Sequence, residues 1–121
     1  MTAGRTKILV VEDEPLLLMM AVEIAEDAGF EAIEASDADQ AIAALESDPD
    51  IVILWTDIDM PGSMDGLKLA AAVRDRWPPI EILIVSGKQR PATDQLPERG
   101  VFIPKPYDIC KVIQTLVQMA A

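Results

Sequence analysis

Carboxylates, one hydroxyl and one ammonium stand where short apolar runs of this sequence end. Glu12, Asp13 and Glu14 follow Ile8 to Val11, and Asp57 and Asp59 follow Ile51 to Trp55. Ser86 follows Ile82 to Val85, and Lys105-Pro106 follows Val101 to Ile103. Taken singly, each has an ordinary structural use. Asp13 or Asp57 can cap a helix or turn, and Glu12 to Glu14 suit a helix entry. Ser86 can close a local turn, and Lys105 can stand in solvent. Taken together they describe a chemistry. Three converging carboxylates repel one another unless a cation sits among them. An all-oxygen set suits a hard divalent ion, Mg²⁺ or Mn²⁺, that keeps several waters. A lysine and a hydroxyl beside that ion make an anion site. Metal, lysine and hydroxyl around one carboxylate are the parts of a phosphoryl-transfer centre.

Composition narrows the choice. The chain has no histidine, which removes imidazole bases, imidazole zinc ligands and any role as the histidine-bearing partner in phosphotransfer. The single cysteine, Cys110, excludes an internal disulfide and a Cys-rich metal cluster. It lies in an apolar helical pattern and reads as a small buried hydrophobe. Acidic residues outnumber basic ones 21 to 10, a net charge of −11. Such a chain repels phosphate backbones and anionic membranes, so neither nucleic acid nor a membrane is an expected partner. It suits a metal cation or a basic protein surface. Met1 to Lys7 is short and polar, with no signal-like apolar stretch after it, and charges interrupt every apolar run before spanning length. The expected location is cytoplasmic. At 121 residues, half of them hydrophobic, the chain fits a single domain over 1–121 with one sizeable core.

The elements that must position these residues are legible as alternating patterns. The continuous apolar runs read as strands buried on both faces, as in a parallel sheet. Phe30 to Ala35, which mixes in Glu31 and Glu34, suits an edge strand. Leu17, Met20, Ala21, Ile24 and Ala28 form one helical face that ends at Gly29. Ser36 with Asp39 resembles a capping box for a helix whose stripe is Ala38, Ala41, Ile42 and Leu45. Leu67, Ala70, Val73 and Trp77 mark a third helix closed by Pro78-Pro79, and Ile109, Val112, Ile113 and Leu116 mark the last. Between Ser86 and Val101, Gly87, Pro91, Pro97 and Gly100 leave room for a turn or two of helix at most. Right-handed crossovers then wind helices onto both faces of one parallel sheet, with ligands outside the carboxyl ends of its strands.

The sequence resembles the receiver domain of bacterial response regulators. The resemblance is carried by Val10-Val11-Glu12-Asp13-Glu14-Pro15, Thr56-Asp57-Ile58-Asp59-Met60-Pro61, Met64-Asp65-Gly66, Val85-Ser86-Gly87 and Lys105-Pro106, and it runs from about Lys7 to Met119. It implies a doubly wound, flavodoxin-like α/β fold with five parallel strands in the order 2-1-3-4-5, here with a shortened fourth helix. It implies that Asp57 is the phosphoacceptor for a phosphohistidine on a histidine kinase or histidine phosphotransfer protein. Glu12, Asp13 and Asp57 would hold Mg²⁺ together with the backbone carbonyl of Asp59. Ser86 would donate its hydroxyl to one phosphoryl oxygen and Lys105 would pair with another. Pro106 would follow a cis peptide bond, and Phe102 would be the switch aromatic that moves with Ser86. The acyl phosphate would then hydrolyse, so the mark is temporary.

Several positions depart from the family pattern. Glu12 stands where aspartate is common, and its longer arm still reaches a metal or its water. The loop Pro61 to Gly66 has one residue more than the usual spacing. Phe102 lacks the hydroxyl of a tyrosine. The shortened segment after Ser86 removes the helix that, with the fifth strand, forms the family's output face. The resemblance implies that Asp59 and Lys88, two positions after the phosphoacceptor and the hydroxyl residue, flank the path of attacking water, an opposite pair expected to close over the phosphoryl group. In the first helix the apolar run Leu16 to Val22 exceeds one stripe, so Leu16, Leu18 or Met19 is expected to be exposed, where kinase-type bundles dock in the family. Two alternatives share the same residues. Asp57-Ile58-Asp59 also fits a haloacid-dehalogenase-like phosphatase, whose signature follows the first core strand rather than the third. A pseudo-receiver would use the same fold only to bind a partner.

Overall fold

The computed structural model describes residues 5–121, and residues 1–4 of the polar start lie outside the described residues. Strands β1 (Lys7–Val11), β2 (Glu31–Ala35), β3 (Ile51–Asp57), β4 (Glu81–Ser86) and β5 (Gly100–Pro104) form one sheet in the order β2-β1-β3-β4-β5. Every neighbouring pair is parallel. Helices α1 (Pro15–Asp27), α2 (Ala38–Ser47), α3 (Gly66–Arg76) and α4 (Ile109–Ala120) cover it. The expected order and the two-sided burial of the central strands are both found.

Alternate residues of each strand feed two cores, because successive side chains point to opposite faces. Leu9, Val11, Leu54, Ile82 and Ile84 pack with α2 and α3 on one face. Ile8, Val10, Ile53, Trp55, Leu83 and Val85 pack with α1 and α4 on the other. Burying each of these side chains contributes roughly 1.5–3 kcal/mol, so the carboxyl ends of β1, β3 and β4 are the firmest platform the fold offers.

Helix ends set the loops over that platform. Asp65 caps α3 by accepting the Lys68 N–H at 2.9 Å. For α2 the cap is Asp37, one residue later than the Ser36 capping box expected: Asp37 accepts the Gln40 N–H, and the Gln40 side chain accepts the Ser36 N–H, both at 2.8 Å. Gly29 follows α1 with a φ of +98°, the conformation that favours glycine in a helix stop.

Between β4 and β5 there is only one short 3-10 turn, Thr93–Gln95. Leu96 from this segment packs against the α2/α3 core. Arg74 of α3 holds the segment and its neighbour by three carbonyls: Nε donates to Glu98 at 2.8 Å, and Nη1 to Pro78 at 2.6 Å and Ile80 at 2.7 Å. A guanidinium fork thus does what a helix would otherwise do through packing.

Three apolar assignments change. Cys110 is exposed rather than buried, and Ile109 beside it is 51% exposed. Both precede the point where α4 reaches the sheet, and only Val112 and Leu116 of that helix are fully buried. In α1 the buried residues are Ala21, Ile24 and Ala25, and Met20, expected in the stripe, is exposed. Leu16 and Met19 are each 59% exposed, whereas Leu18 packs against the core.

Candidate functional site

Strand register gathers the chemistry. Val11 lies beside Thr56, so Glu12 and Asp57 leave neighbouring strands at the same level. Asp57 lies beside Val85, and Ser86 beside Pro104, so Ser86 and Lys105 follow on the next two strands. Strands are about 4.8 Å apart, and four strand ends therefore meet over one cleft. The main chain locks the arrangement. The Glu12 N–H donates to the Ala35 carbonyl at 3.1 Å, Ile58 N–H to Val85 at 3.0 Å, and Lys105 N–H to Ser86 at 2.9 Å. The Thr56 hydroxyl donates to the Asp57 carbonyl at 2.9 Å. The Lys105-Pro106 peptide bond is cis, as expected.

Asp57 is buried, with 5% of its surface exposed. Its Oδ1 accepts no hydrogen bond, although the Lys105 ammonium stands 3.4 Å away as an ion pair. That ammonium is hydrogen bonded instead to Glu12 Oε1 at 2.9 Å, while Glu12 Oε2 accepts the Glu14 N–H at 3.2 Å. Burial pushes the Asp57 carboxyl up to about 6; Lys105 opposes the rise, and the nearby charges of Glu12 and Asp59 add to it. Burial alone would lower the Lys105 ammonium, but the carboxylates of Glu12 and Asp57 outweigh it and raise its pKa.

One carboxylate oxygen from each of Glu12, Asp13 and Asp57 lies within 4.8 Å of the others. Two of these residues are buried and Asp13 is exposed, which leaves an open side for water. An unpartnered buried oxygen on Asp57 beside two further carboxylates fits a hard divalent cation, whose charge would relieve their repulsion.

Gly66 matters more than its place in a loop suggested. A Cβ there would lie 1.9 Å from the Asp57 carbonyl oxygen, and its N–H donates to Ile58 at 2.9 Å. Only glycine lets α3 start against the backbone of Asp57.

Asp59 and Lys88 line the same cleft, but among the described residues Asp59 forms no ion pair with Lys88, which is exposed. Ser86 Oγ donates to Asp59 Oδ2 at 2.7 Å, and Gln89 Nε2 donates to Asp59 Oδ1 at 2.6 Å. Gln89 had not been singled out, because nothing local in the sequence marks a residue 30 positions from its partner. Phe102 is half-buried against the α2/α3 core. An apolar cavity of about 420 Å³ runs from Asp57 and Lys105 between α1 and α4, past Leu17 and Met20 to Tyr107 and Ile109. Tyr107 meets Trp55 edge to face, ring centres 6.0 Å apart.

Comparisons with known proteins agree with this geometry. The nitrogen assimilation regulatory protein NtrX of Azorhizobium caulinodans is 33% identical over 111 residues, covering 88% of this chain and 24% of that protein. The chain therefore spans about a quarter of that relative's length. The receiver domain of the hybrid histidine kinase CckA superposes with a TM-score of 0.78 at 30% identity, over 95% of this chain and 99% of that one. A response regulator receiver protein from Sinorhizobium medicae superposes with a TM-score of 0.86 at 27% identity, over 95% and 94%. Asp57 is the last residue of the third strand, whereas the phosphatase alternative requires its signature after the first. With residues 8–117 matching the family described as the response regulator receiver domain, this chain belongs to that family, the signalling receivers of two-component systems.

Proposed function

We propose that this chain is a single receiver domain, acting in the cytoplasm, that takes a phosphoryl group onto Asp57 from a phosphohistidine of a histidine kinase or histidine phosphotransfer protein. The observation that carries the reading is the buried, unpartnered Asp57 Oδ1 beside Glu12, Asp13 and Lys105. An Asp57 oxygen attacks phosphorus, the phosphorus–nitrogen bond to the donor histidine breaks, and the imidazole nitrogen keeps the bonding pair. Lys105 neutralises charge on one transferred oxygen, and the Ser86 hydroxyl would turn to serve another. Mg²⁺ or Mn²⁺, held by Glu12, Asp13, Asp57 and the backbone carbonyl of Asp59, would supply charge neutralisation and orientation of the phosphoryl group. Water later attacks phosphorus, the acyl phosphate bond breaks, and the Asp57 carboxylate returns with release of inorganic phosphate.

Receiver domains are signalling domains rather than turnover enzymes, and this one would report its state by binding a partner protein. Exposed Met20 and Ile109 line the apolar cavity that opens on Asp57, and Leu16 and Met19 are exposed on the same helix as Met20. An apolar surface running into an acidic cleft supports docking by a protein donor rather than a small phosphate ester.

The test is intact-mass analysis after incubation with acetyl phosphate and Mg²⁺, with Asp57→Asn and a chelator as controls. One phosphoryl adduct, absent from both controls and decaying on standing, is the expected result. A folded wild type that takes up neither a phosphoryl group nor beryllofluoride would sink the proposal and leave the binding-only pseudo-receiver.

A further inference from the structure

Ser86 has one hydroxyl proton, and it is committed. Its Oγ accepts the backbone N–H of Lys88 at 3.1 Å and of Gln89 at 2.9 Å, and donates to Asp59 Oδ2 at 2.7 Å. The direction follows from chemistry, since both amides can only donate and a carboxylate has no proton to give. The second Asp59 oxygen accepts Gln89 Nε2 at 2.6 Å. Ser86, Asp59 and Gln89 therefore close a ring: hydroxyl to carboxylate, carboxylate to amide side chain, and the amide's own backbone N–H back to the hydroxyl. Ser86 is 1% exposed, so water does not readily replace a lost partner. The two bonds to Asp59 are charge-assisted, the stronger kind.

We infer that Asp59 and Gln89 are positioning residues that latch Ser86 away from the phosphoryl group. The inference rests on Asp57 as the phosphoacceptor. A phosphoryl oxygen on Asp57 and the carboxylate of Asp59 compete for the same proton, and Ser86 can serve one of them only by leaving the other. When Ser86 leaves, Asp59 loses one of its two partners and the hold on Gln89 is weakened. Gln89 lies near the start of the segment between β4 and β5, the one that lacks a helix. Occupancy of Asp57 is thereby tied to the freedom of that segment.

The test uses Mg²⁺ with beryllofluoride, a stable stand-in for the phosphoryl group, titrated against wild type, Asp59→Ala, Asp59→Asn and Gln89→Ala, each with Ser86 and with Ser86→Ala. With Ser86 present, Asp59→Ala is expected to tighten beryllofluoride binding about tenfold and Gln89→Ala about threefold, the range of a charge-assisted hydrogen bond and a weaker neighbour. In the Ser86→Ala background the Asp59→Ala gain falls to about threefold or less, the part due to removing a negative charge. Asp59→Asn, which keeps size and fold, is expected between wild type and Asp59→Ala. A separate readout needs no ligand: the wild-type Ser86 hydroxyl proton exchanges slowly with water in NMR spectra, and Asp59→Ala abolishes this. Equal gains with and without Ser86, or a rapidly exchanging wild-type hydroxyl, overturn the latch and leave the phosphoacceptor intact. Failure of wild type to take up beryllofluoride or phosphoryl group overturns both.

Discussion

The Lys105 ammonium lies 2.9 Å from Glu12 Oε1 and 3.4 Å from Asp57 Oδ1, so it is hydrogen bonded to Glu12 and only ion-paired with Asp57. In the proposed reaction it would reach the phosphoryl group from a partner it already holds. Replacing it removes charge where charge develops in the transition state. Lys105→Met is expected to slow acceptance from acetyl phosphate by about 10- to 100-fold, read as adduct formed against time. An unchanged rate would remove Lys105 from the reaction.

Asp57 links stability to pH. Its carboxyl is raised from 3.8 to about 6 in the folded protein, so without metal the folded state binds the extra proton between those values. This contribution to stability is fully present below about pH 4 and is lost as pH rises through about 6. In chelator, the urea-unfolding free energy of wild type relative to Asp57→Asn should fall with rising pH by up to roughly 3 kcal/mol. Saturating Mg²⁺ should remove most of the fall, because the cation favours the ionised carboxylate. A pH-independent difference in chelator would show that burial does not perturb Asp57.

Gly66→Ala would drive a methyl group into the Asp57 carbonyl. The backbone must move, at a cost of about 2 kcal/mol or more, and what moves is Asp57, the proposed phosphoacceptor. Thermal unfolding and adduct formation should therefore both suffer. Gly87→Ala is the control, since its Cβ would meet only the Lys105 side chain, Cβ at 3.6 Å and Cδ at 4.0 Å, both ordinary contacts. Equal behaviour of the two variants would contradict the close approach.

Arg74→Met takes its donor from the Glu98 and Ile80 carbonyls and leaves the Pro78 carbonyl to Arg99 Nη2 alone. A loss of about 2–3 kcal/mol is expected, with faster amide hydrogen exchange concentrated between residues 87 and 100. Arg74→Lys should recover only part of it, because an ammonium on a flexible stem cannot reproduce the planar fork. Exchange unchanged in that segment would mean that something other than Arg74 holds it.

Much of this was legible in the residues. Ile8 to Val11 and Ile82 to Val85 carry no polar interruption, the mark of strands buried on both faces, so the parallel sheet followed from the residues, and its order from the family resemblance. Glu12, Asp13, Asp57, Ser86 and Lys105 each stand one or two positions beyond such a run, which is where a parallel sheet brings ligand groups together. Partners across long separations were not legible. Whether Asp59 meets Lys88 or Gln89 depends on how the chain turns after Gly87, and no local periodicity encodes it. Cys110 and Ile109 satisfy a helical stripe in the sequence, but their exposure depends on where α4 first touches α1 and the sheet. The same holds for Met20.

The main-chain bond from Lys105 N–H to the Ser86 carbonyl has a mechanical consequence. The two arms that would grip opposite sides of a phosphoryl group hang from one rung of the sheet ladder. They behave as jaws on a common pivot: any shift of the β4 end that follows Ser86 is handed to the lysine through backbone alone. Side-chain substitutions can blunt either jaw, but their coordination belongs to the sheet.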